Sequence, residues 1–522
     1  MEKKKKAPVF RPYDQSIMPL LPPSWDDFIS ANHPVRVVND VINKISLKSL
    51  ESEYQGGGRA NYHPRVLLKL VVFGYLSNIY SSRKLESFAR ENIHCMWLTA
   101  LQQPDHNTIN RFRSTRLKNP LKEIFAQVVE LLMESGHVSL QDVYVDGTKL
   151  ESNANKYTFV WGKSIKGYKA KIGQQLKEIW SYAEGVAREE MQQLTAPDFQ
   201  QVDAEMVKKT IETINTALEE KKIAPEVKKK LNYGKKNWEN NVKRYEAQEE
   251  ILGQRNSYSK TDPDATFMRM KEDHMMNGQL KPGYNVQIST NNQIVLDYSL
   301  HPKPSDSTTL IAHVGGMIDL YGRVPENLIA DAGYGSEENY RFLEEQKINA
   351  YVKYNLFDKE RKNGKKSTSF SHEHLHYNQE KDCYYCPMGQ QMKYIGKRTR
   401  KTENGYLQES RVYQAVNCKG CPLRGACHKA KGPRVIEIND RLIGYRKEAE
   451  KLLTSQQGVV FRKKRCWDVE PVFGNIKQNK GFRRFLLRGI EKVATEIGLV
   501  FLSHNLKKSI TAGFRLMNLQ PA

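Results

Sequence analysis

The stretch "VYVDGTKLESNANKYTF", residues 143–159, opens with an alternating apolar run and then presents a single acid. Val143 and Val145 point one way and Tyr144 the other, which is the period of a strand. Asp146 stands where that strand is expected to end, and Gly147 where the chain is expected to turn. A lone Asp in such a place is most often a turn-former or a cap, because its side chain bonds nearby backbone N–H groups. A second stretch repeats the pattern. "NLIADAGYGS" (327–336) is a short apolar strand that ends in Asp331 and a glycine turn. Functional groups gather at strand ends in open α/β sheets.

A third acid is expected on a helix that can lean over the first two. "CWDVEPVFGNIKQNKGFRRFLLRG" (466–489) offers Glu470, beside an inner stripe of Val469, Val472, Phe473 and Ile476, with Lys477 two turns further on. Three converging carboxylates suit hard cations such as Mg²⁺ or Mn²⁺. Two such ions about 3.5–4 Å apart can clamp the attacking and leaving oxygens of a phosphodiester displacement. Around Glu470 lie Arg462, Lys463, Lys464, Arg465, Lys477, Lys480, Arg483, Arg484 and Arg488, opposed only by Asp468 and Glu470. Such a cluster is expected to neutralise phosphates and to make binding salt-dependent.

Between the two aspartates the pattern is that of a mixed sheet. "YNVQIST" (284–290), a turn at Asn291 and Asn292, and "QIVLDYSLH" (293–301) predict a β-hairpin. A helix is predicted over 307–322, another over 337–346, and a strand over 349–355. The segment 165–255 differs: it is long, charged and helix-favouring, and reads as an inserted helical hairpin or coiled coil. With it removed, the order is strand, hairpin, helix, strand, helix, strand, which suits an α/β fold with a mixed sheet flanked by helices. Residues 441–515 read as helical, and 356–440 as a loop-rich, Cys-rich insertion.

The front of the chain, 1–130, reads as helical. "HPRVLLKLVVFGYLSNI" (63–79) is apolar almost all round and is expected to be buried. "SSRKLESFARENI" (81–93) is amphipathic, and "PDHNTINRFRSTRL" (104–117) follows it. Asp105 is a candidate N-cap there, and the outer face carries Asn107, Asn110, Arg111 and Arg113. This is either the helix-turn-helix arrangement of a DNA reader or an ordinary helical hairpin.

The 522 residues suffice for two to four domains, and the formal net charge of +23 calls for an anionic partner, of which nucleic acid is the commonest. No run of 18 apolar residues suggests a membrane span. "MEKKKKAPVF" at the start lacks the apolar core of a secretory signal. The seven cysteines are odd in number and crowd late in the chain, which points to a reducing compartment. "CYYC" (383–386) and "CKGC" (418–421) have the ligand spacing of a structural Zn²⁺ site, with Cys386, Cys418, Cys421 and Cys427 as the favoured set. His372, Glu373 and His376 spell H-E-x-x-H, but in a polar loop rather than on the helix that motif requires.

"VDGTKLESNANKYTFVW", "GYNVQI", "LIADAGYGSEENY" and "VEPVFGNIKQNKGFRRFLLRG" resemble insertion-sequence transposases of the DDE type. The front part, from "YHPRVLLKL" to "TINRFR", resembles the helical N-terminal domain of one large bacterial group of them. The resemblance implies an RNase H-like catalytic domain over 138–355 plus 441–515, interrupted by the insertions 165–255 and 356–440. It assigns Asp146, Asp331 and Glu470 to the catalytic triad, holding two Mg²⁺ or Mn²⁺ ions, and Lys477 to the basic position seven after the Glu. It implies DNA as partner, both element ends and target, a homodimer in the DNA complex, and a place on the bacterial nucleoid. The Arg that such enzymes carry upstream of the Glu has a looser counterpart here, since Arg465 lies five before it and Arg462 eight before. Another RNase H-like nuclease, or a DNA-binding protein that has lost its chemistry, are the alternatives.

Overall fold

A computed structural model describes residues 24–54, 60–192, 194–270, 278–362 and 370–513. The basic start of the chain and the last two residues of the expected 441–515 segment lie outside these. The chain is a mixed α/β structure. Its central sheet holds six strands: β1 (Asp142–Glu151), β2 (Thr266–Arg269), β3 (Leu280–Asn291), β4 (Ile294–His301), β5 (Asn327–Ala330) and β6 (Asn349–Val352). Their order is β2-β3-β1-β5-β6, and β4 also pairs with β3. β1 is antiparallel to β3 and parallel to β5, and β5 is parallel to β6.

The hairpin β3–β4 turns at Asn292 and Gln293, whose φ values of 54° and 64° are left-handed. Two consecutive positive φ values match the twist of a tight hairpin. The turn is held from outside. Asp468 accepts hydrogen bonds from the Asn292 N–H at 2.8 Å and the Gln293 N–H at 3.1 Å. Burial pushes the Asp468 carboxyl up, while these donors pull it down. Asp468→Ala would leave both backbone donors of the tight turn without their acceptor and open a gap beside the buried face of the helix. It is expected to destabilise the protein by about 2–4 kcal/mol, read as a lower urea midpoint with unchanged slope.

One continuous core runs from the N-terminal helices through the sheet to the last helix. Pro64–Leu76 is buried almost throughout, as a segment apolar almost all round predicts, and packs on the last helix, Ile490–Thr511. That helix also covers the outer edge of β4. The Asn505 amide accepts from the Val295 N–H at 2.8 Å and donates to the Val295 carbonyl at 2.7 Å. An unpaired strand edge is thereby closed. The inserted segment carries the helices Gly162–Val186, Arg188–Met191, Ala204–Ala217 and Pro225–Leu252 around a core of their own.

The cysteine-bearing segment departs from its loop-rich expectation. It contains a five-stranded antiparallel sheet built from His376–Asn378, Cys383–Tyr385, Gln391–Lys401, Leu407–Ala415 and Val435–Ile438. Gln391–Lys401 and Leu407–Ala415 form a long ribbon exposed on both faces over much of its length. Charged residues on both faces erase the two-residue alternation that marks a strand in sequence. Among the described residues, no helix is long and apolar enough to cross a membrane.

Candidate active site

β1 does not stop at Asp146. It stays paired with β3 as far as Glu151, with Asp146 opposite Ile288 and Gly147 opposite Gln287. What ends near Asp146 is the parallel neighbour: β5 pairs with β1 only from Asp142 to Tyr144. Asp331 follows β5 directly, so both aspartates come to the same sheet position from adjacent strands. Gly147 therefore supplies room rather than a turn. A Cβ there would run into the Gln287 side-chain amide and stand 2.9 Å from Asp306 Oδ1.

Each aspartate is held by a backbone N–H just after it in the chain. Asp146 Oδ1 accepts from the Gly147 N–H at 2.8 Å, and Asp331 Oδ1 from the Gly333 N–H at 2.8 Å. The second oxygen of each faces one guanidinium. Arg465 Nη2 lies 3.1 Å from Asp146 Oδ2 and 3.6 Å from Asp331 Oδ2. The Arg465 side chain is 12% exposed, and its Nε is buried without a hydrogen-bond partner. Beneath them the Tyr334 hydroxyl donates to Gln287 Oε1. Burial, then Asp306, Asp146 and Asp331, hold that hydroxyl well above the usual tyrosine range, so it stays protonated.

Arg465 sits on the helix Gln456–Gly474, which lies across the sheet. Phe461 packs against Tyr144 and Tyr351, and Asp468, Val469 and Val472 are buried on the same side. Glu470 comes nine residues after Phe461, which is two and a half helical turns. It is exposed. The structure brings Asp146 and Asp331 together around Arg465, and Glu470 stands exposed on the same helix as that arginine. Pro471 lies inside this helix, and a π-helical turn, Asn475–Asn479, follows its end.

The basic cluster is spent largely on the fold. Arg484 donates to the Ser152 and Ala154 carbonyls, both at 3.1 Å, and Arg483 to the Lys477 carbonyl at 3.1 Å. Arg462 donates to the Leu453 carbonyl at 3.0 Å. Lys477 is buried. Lys480 is buried too, donating to Ser503 Oγ at 3.0 Å and the Tyr75 carbonyl at 3.3 Å, which ties the C-terminal helices to the N-terminal ones. In the front part, Asp105 caps its helix by accepting from the Thr108 N–H at 2.7 Å. Asn107, Asn110 and Arg111 are exposed, whereas Arg113 is buried and donates to the Tyr75 hydroxyl and the Tyr80 carbonyl. Arg113 comes four residues after the buried Ile109, on the same side of the helix, and lies in the π-helical turn Phe112–Arg116.

Burial lowers the Lys480 ammonium to about 8. The unfolded chain keeps this proton to higher pH than the folded one, so between about pH 8 and the ordinary lysine range stability rises with pH. Lys480→Met removes that term. The parent is expected to gain about 2 kcal/mol relative to the variant between pH 8 and 9.5, measured by paired urea titrations.

Among the described residues, no group of three or more His, Cys, Asp or Glu side chains is placed to hold a metal ion. For the cysteines, the Arg434 N–H lies 3.4 Å from Cys418 Sγ and Arg434 Nη1 lies 3.0 Å from Cys427 Sγ, and all seven thiols are free. This arrangement does not fit Zn²⁺. The aspartate pair differs: two carboxylate oxygens already turn toward a single positive nitrogen, which is what an oxygen-ligated cation asks of them.

Two family models match the chain. One, described as Transposase DDE domain, covers residues 385–510, and one described as Transposase domain (DUF772) covers 23–115. The first spans the helix of Arg465 and Glu470 but neither aspartate; the second spans most of the N-terminal helices. No curated protein and no solved structure matches the chain. A transposase domain at the front and a DDE domain toward the end, with paired aspartates on the sheet between, support an insertion-sequence transposase of the DDE type.

Proposed function

We propose that the chain cuts DNA at the ends of an insertion sequence and joins the freed 3′-OH to target DNA at the Asp146–Asp331 site. The observation that carries this is the convergence of two aspartates from adjacent parallel strands on one cation position, now filled by Arg465. The sheet order, an antiparallel hairpin beside β1 and two parallel strands on its other side, supports an RNase H-like catalytic domain.

Divalent Mg²⁺ or Mn²⁺ ions bound by these acids would stabilise charge on the phosphodiester and ease loss of a proton from the attacking hydroxyl. The chain's own work is to hold Asp146 and Asp331 at fixed separation, each by a backbone N–H on one oxygen, leaving the other oxygen to face the ion. Arg465 keeps the acids from repelling each other until the ion arrives, and then faces the phosphate. Glu470 belongs to this set through a turn of its helix, for which Pro471 and the π-helical turn give two weakened points. The exposed Asn107, Asn110 and Arg111 on the front helix read the element ends. The protein acts on DNA as a homodimer.

The test uses DNA carrying pre-cut element ends, a target plasmid and Mg²⁺. Joined products are expected. Cleavage of intact ends without any joining would make the chain a nuclease, and neither product would remove the proposal.

A further inference from the structure

We propose that the outer face of the five-stranded sheet in the cysteine-bearing segment is a docking surface for duplex DNA, gripped by its phosphate backbone through Lys393, Arg398 and Arg400. The register of the long ribbon makes this row. Lys393 lies opposite Gln414, Arg398 opposite Ser410 and Arg400 opposite Gln408, and residues so paired share a face. Side chains alternate along a regular strand, so Lys393, an odd number of residues before Arg398, would stand on the other face. A bulge reverses this. The register shifts between Tyr394 and Gly396, and the extra residue, Ile395, brings Lys393 into line with the two arginines. Gly396, with φ 136°, takes a backbone conformation that suits a residue without a side chain.

The two faces of the sheet differ. Met392, Tyr413, Ala415, Ile436 and Ile438 are buried together on the inner one. On the outer one Lys393, Arg398 and Arg400 are exposed, and their cross-strand neighbours Gln414, Ser410 and Gln408 carry no charge. Among the described residues, no ion pair joins Lys393 or Arg400 to an acid. Arg398 meets Glu437 on the next strand, but its side chain stays 62% exposed, and so open a bridge holds its arginine weakly. These cations thus differ from Lys480 and Arg484, which the fold itself uses.

The partner follows from charge and shape. Arg398 and Arg400 are about 6.8 Å apart along their strand, twice the spacing of about 3.4 Å at which phosphates follow one another on one DNA strand. A two-stranded ribbon is also of a width that the major groove admits. The tip of the ribbon is tied beside the Asp331 turn. The Tyr406 hydroxyl donates to Glu337 Oε1 at 2.8 Å and Thr402 Oγ1 to Glu338 Oε2 at 3.2 Å, both at the start of the helix Glu337–Glu345. Asn404 Nδ2 donates to the Thr308 carbonyl at 3.3 Å. DNA held on the row is therefore held at a fixed place relative to Asp331, and, since phosphates are alike in every sequence, without regard to sequence.

The inference rests on the reading that the chain acts on DNA, and its test separates the two. Full-length protein is titrated into a fluorescein-labelled duplex of random sequence, without divalent metal, and anisotropy gives the affinity at several salt concentrations. The triple variant Lys393→Gln, Arg398→Gln, Arg400→Gln is expected to bind about tenfold or more weakly, with a log–log salt slope smaller by about 2–3. Arg400→Gln alone, which should lower the slope by about 1, serves if the triple variant misfolds. A charge-matched control, Lys228→Gln, Lys229→Gln, Lys235→Gln on exposed positions of the helix Pro225–Leu252, is expected to bind like the parent. Parent-like affinity and slope in the folded ribbon variants, an equal loss in the control, or an altered oligomeric state with unchanged DNA binding would overturn this inference alone. A parent protein that binds no DNA at any salt concentration would instead remove the reading beneath it.

Discussion

Asp146→Asn is expected to lower cleavage at element ends in Mg²⁺ by about 1000-fold while leaving the protein folded. The size follows from what a carboxylate-held ion supplies, several kcal/mol of transition-state charge stabilisation, with each tenfold in rate worth about 1.4 kcal/mol. Folding should survive because Asn is nearly isosteric and its side-chain oxygen can still accept from the Gly147 N–H. Arg465 would keep Asp331 as its partner. A gel assay of end cleavage, with thermal unfolding as control, reads both quantities. Activity equal to the parent would remove Asp146 from the chemistry.

Gly147→Ala is expected to inactivate the enzyme nearly as fully, through geometry alone. The added methyl cannot fit beside the Gln287 amide and Asp306 Oδ1 without moving them. Gln287 donates to Asn285 Oδ1 and Asp306 Oδ1, both at 3.0 Å, and accepts from Tyr334. Displacing it loosens the donors that orient Asp306 and unseats the tyrosine under the acids. Overpacking of this kind costs about 1–3 kcal/mol, so a lowered urea midpoint should accompany the lost cleavage. A variant with normal midpoint and normal cleavage would show that the space beside β1 is not needed.

Much of the frame is legible in the sequence, and the reason is local. The hairpin through Asn292 and the apolar run before Asp331 are short strands with turn signals at their ends, and each sits where the pattern puts it, while Val143 to Val145 lie on a strand as expected but not at its end. The capping role of Asp105 and the burial of Pro64–Leu76 follow from the same kind of signal. What the pattern misses is set by tertiary contact. β1 continues past Gly147 because β3 pairs with it to Glu151, and no local signal carries that length. The faces of the helix Gln456–Gly474 are ambiguous in sequence, since apolar and charged residues are mixed around it. Its sheet side is fixed by Phe461, Asp468 and Val472 together, which turns Arg465 inward and Glu470 outward. The basic residues after it look like a phosphate-binding cluster by composition, yet Lys480 and Arg484 are bound to carbonyls far away in sequence.

The proposed chemistry depends on divalent metal held by Asp146 and Asp331. Loading the full-length protein with Fe²⁺ and adding peroxide makes radicals that cut the polypeptide beside the bound ion. Cuts are expected next to Asp146 and Asp331, suppressed by excess Mg²⁺ and absent from the Asp146→Asn, Asp331→Asn double variant. Cuts confined to the sheet that carries Cys383–Cys427, or a pattern unchanged in the double variant, would contradict it.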